Sequence, residues 1–160
     1  MQDLVEKLTN LLKEKDIKLV TAESCTGGLL SAAITHKPGA SEFFDRGYIT
    51  YSNEAKNELL EVSQDTLDEY GAVSGETAEA MAKGALKNSH AGLAVSITGI
   101  AGPSGGTDKK PVGLVFFGYA LKGGSHGNIE YQFEGSREKI QTMATITALK
   151  HLITVLERTS

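Results

Sequence analysis

The chain has one cysteine, Cys25, so no internal disulfide can form, and a reducing, cytoplasmic setting is expected. It has no excess of positive charge. The formal net charge is -4, which argues against a general nucleic-acid surface, because such a surface needs clustered Lys and Arg to neutralise phosphates. No apolar run approaches the roughly 18 residues that a bilayer span requires, and the opening "MQDLVEKLTN" places acids where a secretory signal would place an apolar segment. No membrane partner is expected. Neither C-x-x-C nor H-E-x-x-H occurs, and His36, His90, His126 and His151 are scattered, so no metal site is expected. Internal repeats, linkers and low-complexity segments are missing too. What remains is an ordinary globular composition, 40% hydrophobic and 22% charged, over residues 1–160, enough for one domain with a continuous core. The eighteen glycines are the exception, because they cluster.

Leu4, Val5, Leu8, Leu11 and Leu12 recur at helical spacing, which predicts an amphipathic helix over residues 2–14. "IKLVTA" reads as a short strand and "TGGLLSAAITHK" as a helix ended by Lys37-Pro38-Gly39. "DRGYITYS" has strand composition, and "NEAKNELLEV" follows as a helix with Asn53 as its N-cap. A further helix is expected from Ser74, then the strand "GLAVSITG", a glycine-rich loop, and the neighbouring strands "VGLVFFGYAL" and "NIEYQF". A long helix from Ser136 carries Ile140, Met143, Ala144, Ala148, Leu152, Val155 and Leu156 on one stripe. Its adjacent faces are apolar as well, through Ile146, Leu149 and Ile153, a surface that two subunits could share. Early alternation with a late hairpin predicts an α/β fold: a three-layer α/β/α sandwich with a mixed sheet, in a single domain.

Three polar clusters could carry chemistry. The first is "TAESCTGG", Thr21 to Gly28, at a helix start where free N–H groups and the helix dipole favour negative charge. A nucleophile there could attack a carbonyl while nearby amides hold the oxyanion. Capping by Ser24 or Thr26 is the ordinary alternative. Ser24 and Cys25 compete for the role, and adjacent residues leaving a strand point opposite ways, so only one faces a site. The second is "YSNEAK", where Lys56 is a candidate base if burial lowers its pKa and Tyr51 can converge on the same spot. The alternative is a solvated lysine beside Glu54 or Glu58. The third, "SITGIAGPSGG", is a strand end opening into permissive backbone. In such sheets ligands gather outside carboxyl ends of strands, and Thr98 and Ser104 suit a phosphate or ribose. The loop fits neither G-x-x-x-x-G-K-[ST] nor G-x-G-x-x-G, because Ser104 and Thr107 stand five residues after Gly99 and Gly102. Arg137, at the start of the last helix, can add a cationic contact or remain an ordinary surface arginine.

"AESCTGG", "GYITYSNEAK", "GAVSGETAEAMAKGA" and "SITGIAGPSGGTDKKPVG" together resemble the competence-damage-inducible CinA C-terminal domain family, from about Val20 to Gly118. A chain of this length is similar to its stand-alone members, the nicotinamide mononucleotide deamidases. The resemblance implies an amidohydrolase that converts nicotinamide mononucleotide and water to nicotinic acid mononucleotide and ammonia in pyridine-nucleotide recycling. It also implies no cofactor, no metal and a homodimer. It assigns the nucleophile to Ser24 and its partners to Lys56 and Tyr51. Thr26, Gly27 and Gly28, together with Thr98, Gly99, Gly102, Gly105 and Arg137, are then the expected substrate-binding residues. In that scheme Tyr51 orients the lysine or relays its proton, and the amides of Thr26 to Gly28 hold an oxyanion or a phosphate. Longer relatives carry an N-terminal domain with separate nucleotide chemistry, and the resemblance carries none of that activity over to these residues. The alternatives to catalysis are a nucleotide- or phosphate-binding module using the same loops, and a structural, partner-binding protein.

Overall fold

The computed structural model describes residues 1–159. A five-stranded sheet in the order β2-β1-β3-β4-β5 is built from β1 (Leu19–Glu23), β2 (Phe44–Ile49), β3 (Leu93–Gly99), β4 (Leu114–Leu121) and β5 (His126–Gln132). β1 runs parallel to both β2 and β3, whereas β4 and β5 close the sheet as antiparallel partners. All five residues of β1 are buried, as a central strand covered on both faces requires. β5, at one edge, is mostly exposed. The mixed α/β sheet with helices on both faces is the architecture the alternating pattern predicted.

On one face lie α1 (Gln2–Glu14), α2 (Leu29–Thr35) and α6 (Arg137–Glu157). Val5, Leu8, Leu12, Leu30, Ile34, Ala144 and Leu152 meet Leu19, Val95 and Phe117 in this larger core. The opposite face carries α3 (Asn53–Leu60), α4 (Gln64–Tyr70) and α5 (Gly75–Lys87), where Leu60, Leu67, Met81, Ala82 and Ala85 pack on Val20, Ala22 and Ala94. α5 sits close to the sheet. A Cβ on Gly118 of β4 would lie 2.3 Å from the Ala78 carbonyl oxygen of α5, so no other residue fits there without displacement. Leu149 and Ile153, expected on a shareable surface, are buried within their own chain.

Local departures from the sequence reading have clear causes. α2 begins at Leu29, three residues later than expected, because Gly27 and Gly28 take positive φ values of 57° and 110° that end any helical run through them. The cap of α3 is Ser52, not Asn53: the Ser52 hydroxyl accepts from the Ala55 N–H. α4 was not anticipated. Seven residues are too short for a helical period to register, although Ser63 caps it by accepting from the Thr66 N–H.

β1 is the point where chain order reverses, since α2 leads to β2 on one side and α3 to α5 lead to β3 on the other. Ligands in open α/β sheets lie outside the carboxyl ends of strands at such a switch point. Here those ends are Glu23 and Gly99, and both "AESCTGG" and "GIAGPSGG" begin there.

Candidate active site

Beyond the ends of β1 and β3 lies a cavity of about 260 Å³. Its wall includes Ser24, Tyr51, Lys56, Thr98, Gly99, Gly102, Gly105 and Arg137. Thr26, Gly27 and Gly28 do not line it.

The floor is the Ser24–Lys56 pair. The Ser24 N–H donates to the Ile97 carbonyl at 2.9 Å, which ties the residue to the end of β3. Lys56, one turn into α3, is 1% exposed, and its Nζ donates to Ser24 Oγ at 3.0 Å and to the Thr50 carbonyl at 2.9 Å. Neither acceptor is a carboxylate. Burial therefore pushes the lysine below its ordinary range. A lysine held this way is biased toward the neutral amine, the form that accepts a proton.

Cys25 lies in the hydrophobic core with Leu30, Val95 and Val115, and burial pushes its thiol up to about 12. At neutral pH it is a thiol and not the reactive thiolate. Its backbone carbonyl accepts from Gln141 Nε2 at 2.9 Å, which anchors the turn to α6. Of the two adjacent candidates, only the Ser24 side chain hydrogen-bonds the Lys56 amine.

Glu23, which the sequence reading gave no role, organises the turn. Its fully buried carboxylate accepts from Thr26 Oγ1 at 2.6 Å, Leu30 N–H at 2.9 Å, Ser31 N–H at 3.0 Å and Ser31 Oγ at 2.7 Å. The negative charge that a helix N-terminus attracts is therefore supplied by the protein itself. Thr26 is committed to this network. The Gly27 and Leu29 amides close turns onto the Ser24 and Thr26 carbonyls. Among the described residues, the Cys25, Thr26 and Gly28 amides have no protein acceptor. The local signal was the order of types: a carboxylate at a strand end, then a hydroxyl three residues on, ahead of a helix.

The mouth is built differently. Arg137 Nη1 donates to the Gly102 carbonyl at 2.7 Å and Nη2 to the Tyr51 hydroxyl at 2.6 Å, so one guanidinium joins the start of α6, the glycine-rich loop and the β2–α3 junction. Tyr51 is 61% exposed and makes no hydrogen bond to Lys56, which is oriented by the Thr50 carbonyl instead. Thr98 Oγ1 donates to the Ala72 carbonyl at 2.7 Å and is buried. Lys56 and Arg137 are the charged residues of the wall, and no carboxylate shares it. With the Arg137 guanidinium on it and no acid, the wall suits an anionic ligand.

Comparison with known proteins agrees with the motifs. The CinA C-terminal domain family matches residues 1–156. A Caldicellulosiruptor bescii relative named for competence-damage induction is 52% identical over 151 residues, 94% of this chain and 36% of its own length. The chain thus spans about a third of that longer relative. The nicotinamide-nucleotide amidohydrolase PncC of Enterobacter agglomerans is 47% identical over 150 residues, covering 94% of this chain and 92% of that protein. The crystal structure of a competence/damage inducible protein from Agrobacterium tumefaciens superposes with a TM-score of 0.94 at 41% identity, covering 98% of this chain and 94% of that one. No helix among the described residues is long and apolar enough to cross a membrane. By sequence and by fold, the chain belongs to the CinA C-terminal domain family.

Proposed function

We propose that the chain is an amidohydrolase that deamidates nicotinamide mononucleotide to nicotinic acid mononucleotide and ammonia, with Ser24 as nucleophile and Lys56 as base. The observation that carries the reading is the buried Lys56 amine 3.0 Å from Ser24 Oγ, at the floor of a cavity without carboxylates. The name of the Enterobacter agglomerans relative supports the substrate.

Neutral Lys56 takes the Ser24 proton as Oγ bonds to the carboxamide carbon. The Cys25 and Thr26 amides, without protein acceptors beside the nucleophile, are the candidate donors to the developing oxyanion. The C–N bond then breaks as Lys56 returns the proton to nitrogen. Ammonia departs and an ester remains on Ser24. Water, giving a proton to the same amine, attacks the ester carbonyl. The carboxylic acid leaves and Ser24 recovers its proton. Phosphate recognition falls to the mouth, because the α2 N-terminus already holds Glu23 and Arg137 stands across the cleft.

The test is ammonia release from nicotinamide mononucleotide by the native chain and by Ser24→Ala. Release by the native chain that vanishes in the variant is the expected result. A folded native chain that binds the nucleotide but releases no ammonia overturns the enzyme reading in favour of a non-catalytic nucleotide-binding module.

A further inference from the structure

The polar side chains of the cavity wall are mostly spoken for. Lys56 is held by Ser24 and Thr50, Thr98 by Ala72, and Tyr51 and Arg137 by each other and by Gly102. Asn53 and Ser104 also line the cavity, and neither side chain has a hydrogen-bond partner among the described residues; Asn53 is the one on α3, beside Lys56. The ordinary job for an asparagine at this point would be to cap α3, but Ser52 does that by accepting from the Ala55 N–H at 3.0 Å. Asn53 is solvent-exposed at the cleft, so its carboxamide donor and acceptor are free for a ligand.

Its position orders the site. Asn53 and Lys56 are three residues apart on α3 and share one face of the helix. Lys56 stands at the floor with Ser24, and the Arg137–Tyr51 pair stands at the mouth. Asn53, at the first position of α3, is two residues from Tyr51 and three from Lys56, so the chain ties it to both levels of the cavity it lines.

Building on the deamidase reading, we propose that Asn53 is a specificity-determining residue that hydrogen-bonds the sugar hydroxyls of the substrate. The carboxamide then sits at Ser24 and the phosphate at Arg137. A hydroxyl both donates and accepts, as does a carboxamide, so the two match in pairs. A phosphate dianion offers acceptors alone, and the Arg137 guanidinium, with five N–H donors of which two are engaged, is the better partner for it. The assignment separates the substrate into three parts, each with its own residue.

The experiment is calorimetric titration in the catalytically silent background, Ser24→Ala against Ser24→Ala with Asn53→Ala. Nicotinamide mononucleotide is expected to bind about tenfold more weakly to the double variant, the loss of one good hydrogen bond. Ribose 5-phosphate, which lacks the carboxamide, and nicotinamide riboside, which lacks the phosphate, lose the same factor. Steady-state rates of Asn53→Ala show a raised KM with kcat held within about twofold, the signature of lost ground-state binding. Thermal melting stays at the native value, because the Ser52 cap is intact. Equal affinities overturn the proposal. So does a loss confined to ligands carrying the carboxamide, or to ligands carrying the phosphate, since either moves Asn53 to a different part of the substrate. The readout is binding, so it stands apart from the test of catalysis. A native chain that releases no ammonia, but whose Asn53→Ala variant still binds these sugars tenfold more weakly, loses the reaction and keeps the subsite.

Discussion

The two rims of the cleft are both glycine-containing turns at strand ends, and they are built on opposite principles. The β1–α2 turn is buried from Ser24 to Thr26 and inward-looking: Glu23 satisfies Thr26, Leu30 and Ser31, Gln141 holds the Cys25 carbonyl, and Ile97 holds the Ser24 amide. The β3–β4 loop has an exposed stretch, Pro103 to Lys109, and joins the rest of the site mainly through one guanidinium on the Gly102 carbonyl. A nucleophile must be held to a fraction of an ångström, so the side chains and carbonyls around it are tied down while the Cys25 and Thr26 amides stay free. A rim that admits a substrate needs open space and uncommitted groups. The difference explains why the glycines nearest the serine do not line the cavity while those of the loop do.

The largest test of this division is chemical. Ser24→Ala and Lys56→Met should each lower ammonia release on the order of 10⁴-fold or more, since nucleophile and base act as a unit. Rates within tenfold of native in either variant would remove that residue from the mechanism. Because burial lowers the Lys56 pKa, kcat/KM should rise with pH to a half-maximum below the ordinary lysine value of about 10.4. Stability carries the same signature. Between the folded and unfolded pKa values the unfolded chain binds the extra proton, so native stability relative to Lys56→Met should rise with pH across that window. Urea melts stepped from pH 7 up to the ordinary lysine value of about 10.4 measure it, and a constant difference over that whole range would contradict a lowered pKa.

Next in size is the inward-looking rim. Glu23→Ala strands buried donors and should lose roughly 3 kcal/mol in urea unfolding, with Glu23→Gln losing less because it keeps one acceptor oxygen. Little change in either would mean that the turn holds its shape without the carboxylate. Two glycines sharpen the contrast further. Gly102→Ala meets a positive φ of 77° and the Val112 methyl at 2.5 Å, and should destabilise by about 2 kcal/mol. Gly27→Ala meets a φ of 57° but open space, and about 1 kcal/mol is expected. Smallest is Tyr51→Phe, which takes one acceptor from the exposed Arg137 and should raise KM about twofold with kcat unchanged. A large fall in kcat would restore Tyr51 to proton transfer.

Much of the layering was legible because it depends on local patterns. Leu4, Val5, Leu8 and Leu12 repeat along α1, β1 and β3 are continuous apolar runs, and Ser74 and Ser136 announce their helices by capping. The short α4 and the cap at Ser52 were less visible, since a seven-residue helix has too few turns to show a period and two neighbouring capping types compete. At the site, residue types at strand ends pointed to Ser24 and Thr98, and those in the first turn of a helix to Lys56 and Arg137. Their roles could not be read locally, because each depends on a partner distant in the chain: Ser24 and Lys56 are 32 positions apart, and Tyr51 and Arg137 are 86.

The sequence by itself determined the helices and strands and the motifs that make this chain a CinA C-terminal domain, because periodicity, caps and glycine turns act within a few residues. Only the tertiary structure decided that Ser24 and not Cys25 meets the amine, that Glu23 and not a ligand fills the start of α2, and that Tyr51 pairs with Arg137 and not Lys56. Each of those outcomes depends on burial and on a hydrogen-bond partner brought from elsewhere in the fold, and neither exists until the sheet and its two helical layers have closed around the site.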